Sequence, residues 1–157
     1  CFRMEFPGRL RINERLPDQE FNEDESLYRA FNYNDYDPNQ HTLKVENVWS
    51  PDFSCNWGKY SEAADIYFRK NGCDKDGCYE FLVRVARHDN IATPVHDPID
   101  DGSDFPNYAH VEVRAVIATS ETNDIPPKKR RIKSKAKKLA YRQNIVNNLS
   151  IIFMPKD

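Results

Sequence analysis

The residues with the clearest capacity for chemistry lie between residues 88 and 117, a stretch that holds three of the four histidines. Its last part, residues 108–117, alternates polar and apolar side chains, which is typical of a β-strand with one buried face. His110, Glu112 and Arg114 would share the polar face. The opposite, apolar face would consist of Val111, Val113, Ala115 and Ile117.

Imidazole and carboxylate groups carry out general acid–base catalysis, and both bind divalent transition metals. We therefore predict a catalytic or ligand-binding site that includes His96, His110 and Glu112. A solvated sheet face and a metal site are the alternatives. We assign no metal, because the four cysteines do not form the two close pairs that are typical of zinc sites.

Arg29 lies between apolar residues in the short segment 27–31. A charged side chain inside a strand needs a partner or an exposed position. A guanidinium group forms bidentate contacts with phosphate or carboxylate, so Arg29 is a candidate anion-binding residue. The alternative is a salt bridge to a nearby acid such as Glu25. The predicted catalytic set is Arg29, His96, His110 and Glu112.

The segment 53–61 combines aromatic, hydroxyl, amide and lysine side chains. Such residues occur in loops that stack on a base and contact a phosphate. The alternative interpretation is that Phe53 and Trp57 simply fill the core.

The order of Arg29, a serine-containing segment at residues 54–61, and Glu112 resembles that of the ADP-ribosyltransferases. In that family an arginine and a serine hold NAD, and a glutamate drives the transfer. The resemblance implies an enzyme with a nucleotide-like or phosphorylated substrate. The family's Ser-Thr-Ser run is absent here, and His110 stands in place of its second acid, two residues before the glutamate.

The net charge of −2 conceals a separation of charge along the chain. Residues 14–37 contain eight acidic residues and two arginines, whereas residues 128–142 contain nine basic residues and no acid. A basic helix of this kind suits a polyanion or an acidic protein partner. A solvated lysine-rich surface is the alternative. The predicted nucleic-acid-binding residues are Lys128, Lys129, Arg130, Arg131, Lys135 and Lys138.

The pattern of elements predicts a single α+β domain over residues 1–157, with a mainly antiparallel sheet. Residues 78–87 and 108–118 alternate as strands, and we expect them to pair across a long loop at 88–107. Two helices are expected. Ser61 would cap a short one, and Pro126-Pro127 would open a longer basic one at 127–147. Its apolar side would contain Ile132, Ala136, Leu139, Gln143 and Val146. A final strand near residues 149–153 follows.

Cys73 and Cys78 flank Asp76-Gly77, a dipeptide that favours a tight turn. Free thiols in a reducing cytosol are the favoured interpretation of the four cysteines, and a Cys73–Cys78 disulfide is the alternative. No apolar run approaches the roughly 18–20 residues of a membrane span. We therefore expect an intracellular, cytoplasmic protein that does not contact membranes.

Two functions remain open at this level. The first, which we favour because no catalytic constellation is contiguous, is a binding module that engages nucleic acid or an acidic protein through the basic helix. The second is a small enzyme with an Arg/His/Glu site for a nucleotide-like or phosphorylated substrate. The sequence identifies neither a cofactor nor an oligomeric state, and it does not decide whether the protein is an enzyme.

Overall fold

The chain folds into a six-stranded antiparallel sheet, a second sheet of two strands and two α-helices, which confirms the predicted α+β class. The structure is a computed structural model. It describes residues 4–48, 53–70, 72–100, 102, 105–116 and 134–156. Ile117 and the basic residues Lys128, Lys129, Arg130 and Arg131 lie outside these ranges.

The chain contains eight described strands and two α-helices. The strands are β1 (Ser26–Phe31), β2 (Tyr36–Asp37), β3 (Thr42–Leu43), β4 (Phe53–Trp57), β5 (Gly77–Leu82), β6 (Ala92–His96), β7 (His110–Ala115) and β8 (Ser150–Phe153). The helices are α1 (Val83–Ala86) and α2 (Lys135–Asn148). One helix follows β5, and the other lies between β7 and β8. The order in the large sheet is β6-β7-β4-β1-β5-β8, and β2 pairs with β3 separately.

The alternation predicted for β7 is confirmed. Val111, Val113 and Ala115 are buried, while Glu112 and Arg114 on the other face are only half-buried. The buried face joins a core that also contains Phe81 and Val83. A second hydrophobic cluster lies on the opposite face of the sheet. Its buried members are Leu10, Ile66, Tyr67, Phe68, Cys78 and Ala109.

The predicted strand at 78–87 is correct only as far as Leu82, because α1 follows immediately. Ser26, the first residue of β1, is the partner of Leu82, so β5 has no ladder partner beyond this point. The next two amides instead donate to backbone carbonyls that precede β1, those of Glu25 and Glu23.

The predicted pairing of 78–87 with 108–118 is wrong, since β4 and β1 lie between β5 and β7. The predicted loop at 88–107 contains β6, which pairs with β7 along its whole length. β7 therefore has β6 on one side and β4 on the other. β6 is hard to recognise from local patterns, because Pro94 stands in the middle of this edge strand.

Helix α2 begins at Lys135, and residues 127–133 of the predicted helix, which include Ile132, lie outside the described ranges. Ser134 has extended backbone angles, and its side chain accepts a hydrogen bond from the amide of Lys137, as an N-cap does. The buried face also differs from the predicted one. Ala136, Leu139 and Gln143 are exposed, whereas the core contacts come from Tyr141, Ile145 and Val146.

The short helix near residue 61 is a 3-10 helix at Ala63–Tyr67. Ser61 does not cap it, because the Ser61 hydroxyl donates to the carbonyl of Trp57 instead. Asp65 accepts a hydrogen bond from the amide of Glu62 at its start. The Asp65 carboxylate is buried and receives two hydrogen bonds from the guanidinium of Arg9, at 2.6 and 2.7 Å.

Cys55 and Cys78 are buried free thiols, so the alternative of a Cys73–Cys78 disulfide is wrong. Cys73 is nevertheless disulfide-bonded, which also contradicts the expectation of four free thiols. Cys1 lies outside the described ranges. Within the part of the chain that the structure describes, no helix is long and apolar enough to cross a membrane.

We predict that Val113→Asp destabilises the fold severely. Val113 is fully buried between Phe53 and Pro94 of the neighbouring strands, so the new carboxylate would have no partner and no water. The free energy of unfolding, measured with urea, should fall by about 4 kcal/mol or more. Ile152→Asp on the exposed part of β8 is the control and should cost only about 1 kcal/mol. An unchanged melting temperature for Val113→Asp would contradict the core assignment.

Candidate functional site

The large sheet divides between β1 and β4, and this division forms a cleft. The two strands pair at only two positions, Leu27 with Trp57 and Tyr28 with Asn56. β1 continues along β5 as far as Phe31, and β4 continues along β7 as far as Phe53. The cleft has a volume of about 360 Å³, and residues 28–30 and 54–56 from the two diverging strands line it.

Arg29 lies at the point where the strands diverge. Its Nη1 donates to the backbone oxygen of Ser54 at 2.5 Å, and its guanidinium carbon lies 5.2 Å from the centre of the Phe53 ring. Among the described residues it forms no salt bridge. Glu25 accepts hydrogen bonds from the Asn22 amide and the Trp57 indole instead, so a Glu25–Arg29 salt bridge is wrong.

Ser54 connects Arg29 to Glu112. Ser54 is the register partner of Glu112, and its hydroxyl donates to Oε2 of Glu112 at 3.4 Å. The same serine supplies the carbonyl that Arg29 contacts. Ser54 thus contacts Arg29 of β1 through its backbone oxygen and Glu112 of β7 through its hydroxyl. Arg29 and Ser54 line the cleft, and Glu112 adjoins it through Ser54 without being one of its lining residues.

His110 lies two residues before Glu112 on the same face of β7, and it lines the cleft. The side chain is 7% exposed. Its Nδ1 lies 2.7 Å from the carbonyl oxygen of Asp97. A carbonyl can only accept, so Nδ1 carries the proton and the neutral ring has its lone pair on Nε2. In the described chain no group hydrogen-bonds Nε2.

The remaining walls of the cleft combine aromatic, basic and amide side chains. Tyr28, Phe68 and Phe105 supply the aromatic surface, while Arg69 and Lys70 supply positive charge. Arg69 is paired with Asp76 at 2.8 Å. The side-chain amide of Asn107 donates to the side-chain oxygen of Asn56 at 2.8 Å. This hydrogen bond fixes the orientation of both side-chain amides in the cleft wall. The described residues that line the cleft include no acid.

Cys55 also borders the cleft, but its chemistry is suppressed. The thiol is buried, and this burial raises its pKa to about 12. A thiol with such a pKa stays protonated at neutral pH and is a poor nucleophile. Covalent catalysis by Cys55 is therefore disfavoured.

His96 does not belong to this site. It is the register partner of Val111, so it lies on the face opposite His110 and is 2% exposed. Its Nδ1 accepts from the Asp18 amide at 2.8 Å, and its Nε2 donates to the Tyr108 carbonyl at 2.5 Å. The ring packs against Trp57, Tyr60 and Tyr108, with centroid separations of 4.8 to 5.6 Å. His96 thus ties the residue 18 segment to the sheet.

The alternative of a metal site at His96, His110 and Glu112 loses its geometric basis, since His96 is engaged on the other face. Within the described ranges, no group of three potential metal-ligating side chains comes together. Phe53 and Trp57 are core residues, which confirms the plainer interpretation of the segment 53–61. The predicted binding residues Lys135 and Lys138 lie on α2, away from the residues that line the cleft.

Sequence patterns identified Arg29, His110 and Glu112 by residue type, and they identified the segment 53–61, which contains Ser54 and Asn56. Asn107 and Phe105 could not be recognised without the strand register and the division of the sheet. No family model, curated protein or solved structure matches the chain. The interpretation of the cleft therefore rests on its geometry.

We predict that the stability of the protein decreases as the pH falls from about 7 to 5 because of His96. Burial lowers the pKa of His96, so the folded state holds the ring neutral while the unfolded chain binds a proton near its ordinary value of 6.5. The stabilisation is complete above that value and is lost as the pH falls. Urea unfolding at several pH values measures it.

His96→Asn should be less stable overall, yet it should lose this pH dependence. His88→Asn, which changes an exposed histidine, should keep it. The hydrogen bonds from Lys59 and then Tyr60 hold the pKa of Asp18 well below its ordinary 3.8. That carboxylate therefore affects stability only in a lower, separate pH window. An identical pH slope in wild type and His96→Asn would refute the assignment.

Proposed function

We propose that the cleft between β1 and β4 binds an NAD-type dinucleotide and that the protein catalyses transfer of its ADP-ribosyl group. The observation that carries this proposal is that Ser54 contacts both other residues, Arg29 through its backbone oxygen and Glu112 through its hydroxyl. Their order along the chain is that of the residues with which ADP-ribosyltransferases hold NAD and drive the transfer. The enzyme hypothesis is thus favoured over the binding module.

The charge of the cleft supports an anionic ligand. Arg29 and Lys70 have no acidic partner among the described residues, and Arg69 is neutralised only by Asp76. Basic side chains around a cleft attract phosphates and increase their local concentration. Arg29 also retains N–H donors beyond the one directed at Ser54, and a guanidinium can offer them to a phosphate as a fork.

The aromatic walls support a ligand with flat rings. Tyr28, Phe68 and Phe105 present apolar and aromatic surface on one side of the cleft. Phe105 is held in place by Phe6 and Phe68, whose ring centres lie 5.8 and 5.7 Å away. Rings fixed in this way provide a stacking surface at little entropic cost.

Glu112 is suited to the transfer step. When the bond between the ribose C1′ and nicotinamide breaks, positive charge develops on the ribose. A carboxylate fixed beside that carbon stabilises the charge electrostatically. The hydroxyl of Ser54 and the flanking strands hold Glu112 in position, so the carboxylate needs little reorganisation as the charge develops.

We predict that Glu112→Gln lowers the rate of nicotinamide release from NAD by about 100-fold or more. NAD binding should remain intact. Glutamine keeps the shape and the contact with Ser54 but has no charge. Arg29→Ala should instead weaken NAD binding, because it removes the phosphate donor. Calorimetry measures binding, and chromatography measures nicotinamide.

Glu80→Gln is the matched control, because Glu80 is a half-buried glutamate on β5 and should not affect either measurement. The melting temperatures of all variants should be close to that of the wild type. If wild-type protein neither binds NAD nor releases nicotinamide from it, the proposed function is wrong.

A second candidate function is binding of a polyanion, either nucleic acid or an acidic protein, through the basic helix. The described part of α2 carries four basic residues and no acid, and Lys135 and Lys137 are exposed. Exposed basic residues without compensating acids attract phosphate backbones in a salt-dependent way. Lys135 and Lys138 remain the candidate contacts on this helix.

We predict that changing Lys128, Lys129, Arg130 and Arg131 together to Gln weakens RNA binding. The slope of log affinity against log salt concentration should decrease by about 3, because fewer counterions are released. A control with four exposed basic residues elsewhere changed to Gln, Arg11, Lys75, Arg84 and Lys156, should keep the slope. Absence of salt-sensitive binding to RNA and DNA at low ionic strength would overturn this second function.

An intracellular, cytoplasmic location is kept as part of the proposal. The free thiols of Cys55 and Cys78 agree with a reducing compartment. The disulfide at Cys73 weighs against it, because disulfides persist mainly in oxidising compartments. Thiol titration of freshly isolated protein separates the two, since a reduced Cys73 supports the cytoplasm.

A further inference from the structure

The ring of His110 is oriented by one hydrogen bond and has a second nitrogen to offer. Nδ1–H donates to the Asp97 carbonyl at 2.7 Å, which fixes the neutral tautomer with its lone pair on Nε2. The residue is buried, with 7% of its surface exposed, and it forms part of the cleft wall. A buried acceptor nitrogen without a partner in the described chain is costly unless a ligand uses it.

His110 and Glu112 lie close enough on β7 for one to act on the acceptor and the other on the ribose. The two residues are two positions apart on one face of β7, a separation of about 7 Å between α-carbons. Glu112 contacts Ser54, while the register partner of His110 is Asn56, one step deeper along β4. His110 lines the cleft directly, whereas Glu112 adjoins it through Ser54, which is a lining residue.

We propose that His110 is the general base for the acceptor in this cleft and that the acceptor is a hydroxyl group, either water or an alcohol. This inference rests on the proposed function. A neutral imidazole removes the proton of a hydroxyl as it attacks. A guanidinium or ammonium acceptor is disfavoured, because the described lining of the cleft is basic and holds no acid, and Glu112 beside Ser54 is engaged by the positive charge that develops on the ribose.

The reaction balances without a further reagent. The C1′–N bond of NAD breaks, and its electron pair remains on the nitrogen of the departing nicotinamide. A lone pair of the acceptor oxygen forms the new C1′–O bond, and the hydroxyl proton passes to Nε2 of His110. With water the product is ADP-ribose, and with an alcohol it is the corresponding O-glycoside of ADP-ribose.

Several charged or titratable groups surround His110. They must be left unmutated when the pH profiles of His110 variants are compared. Glu112 and Arg114 lie on its own strand, Asp97 and His96 lie on the adjoining segment and strand, and Arg29, Arg69 and Lys70 line the cleft. Arg114 is also 3.5 Å from the carboxylate of Asp97, which keeps the Asp97 segment near the ring.

The experiment uses His110→Asn in the full chain, with NAD as substrate and methanol as an added acceptor. The asparagine amide can still donate to the Asp97 carbonyl, but it cannot act as a base. We expect unchanged NAD affinity and a loss of turnover of about 100-fold or more. Formation of both ADP-ribose and methyl ADP-ribose should decrease. The pH profile of turnover should differ between His110→Asn and the wild type, because the variant lacks the base.

A second variant separates catalysis from structure. His110→Ala should recover activity when free imidazole is added, whereas a merely structural histidine would not be rescued in this way. His41→Asn is the control, because His41 is exposed and its positive φ of 54° suits asparagine. If the wild type hydrolyses NAD and His110→Asn keeps its full rate, the role of His110 is refuted while the NAD site stands. Failure of the wild type to bind NAD would instead refute both.

Discussion

The structure depends on the early end of the ladder between β1 and β4. These strands are the middle pair of a six-stranded sheet, yet they share only two residue pairs. Each strand continues with its outer partner, β1 with β5 and β4 with β7. The sheet therefore remains one unit at Leu27–Trp57 and opens beyond Tyr28–Asn56. A cleft at the centre of a sheet can bring together side chains from strands that are far apart in the chain.

Arg29 has two physical tasks at this opening. Its guanidinium reaches across to the Ser54 carbonyl and packs near the Phe53 ring, and this contact bridges the two strands where the ladder has ended. A planar group with several donors can make that bridge and still hold an anion. Lysine at position 29 would keep the charge but could not do both. These contacts orient the Arg29 side chain in the folded protein. Binding of a phosphate would therefore require little further loss of side-chain entropy.

Local patterns predicted the parts of this site, whereas only the register could assemble them. The alternation of Val111 and Val113 with Glu112 was readable because a strand has a period of two. The partners of β7 were not, because β6 has a proline at its centre and a proline-rich loop after it. Likewise, the contact of His96 with the Asp18 amide joins residues 78 positions apart. Such a contact leaves no local trace, so His96 was wrongly placed in the site.

The two histidines show how a single hydrogen bond separates a structural residue from a reactive one. Both rings are buried, and each donates one N–H to a backbone carbonyl, Tyr108 for His96 and Asp97 for His110. The second nitrogen of His96 accepts from a backbone amide, so that ring has no remaining capacity. The second nitrogen of His110 has no such donor among the described residues. Strand alternation places the first ring against the aromatic core and the second against the cleft. The same residue type therefore supports the fold on one face of the sheet and, in the proposed reaction, serves as the base on the other.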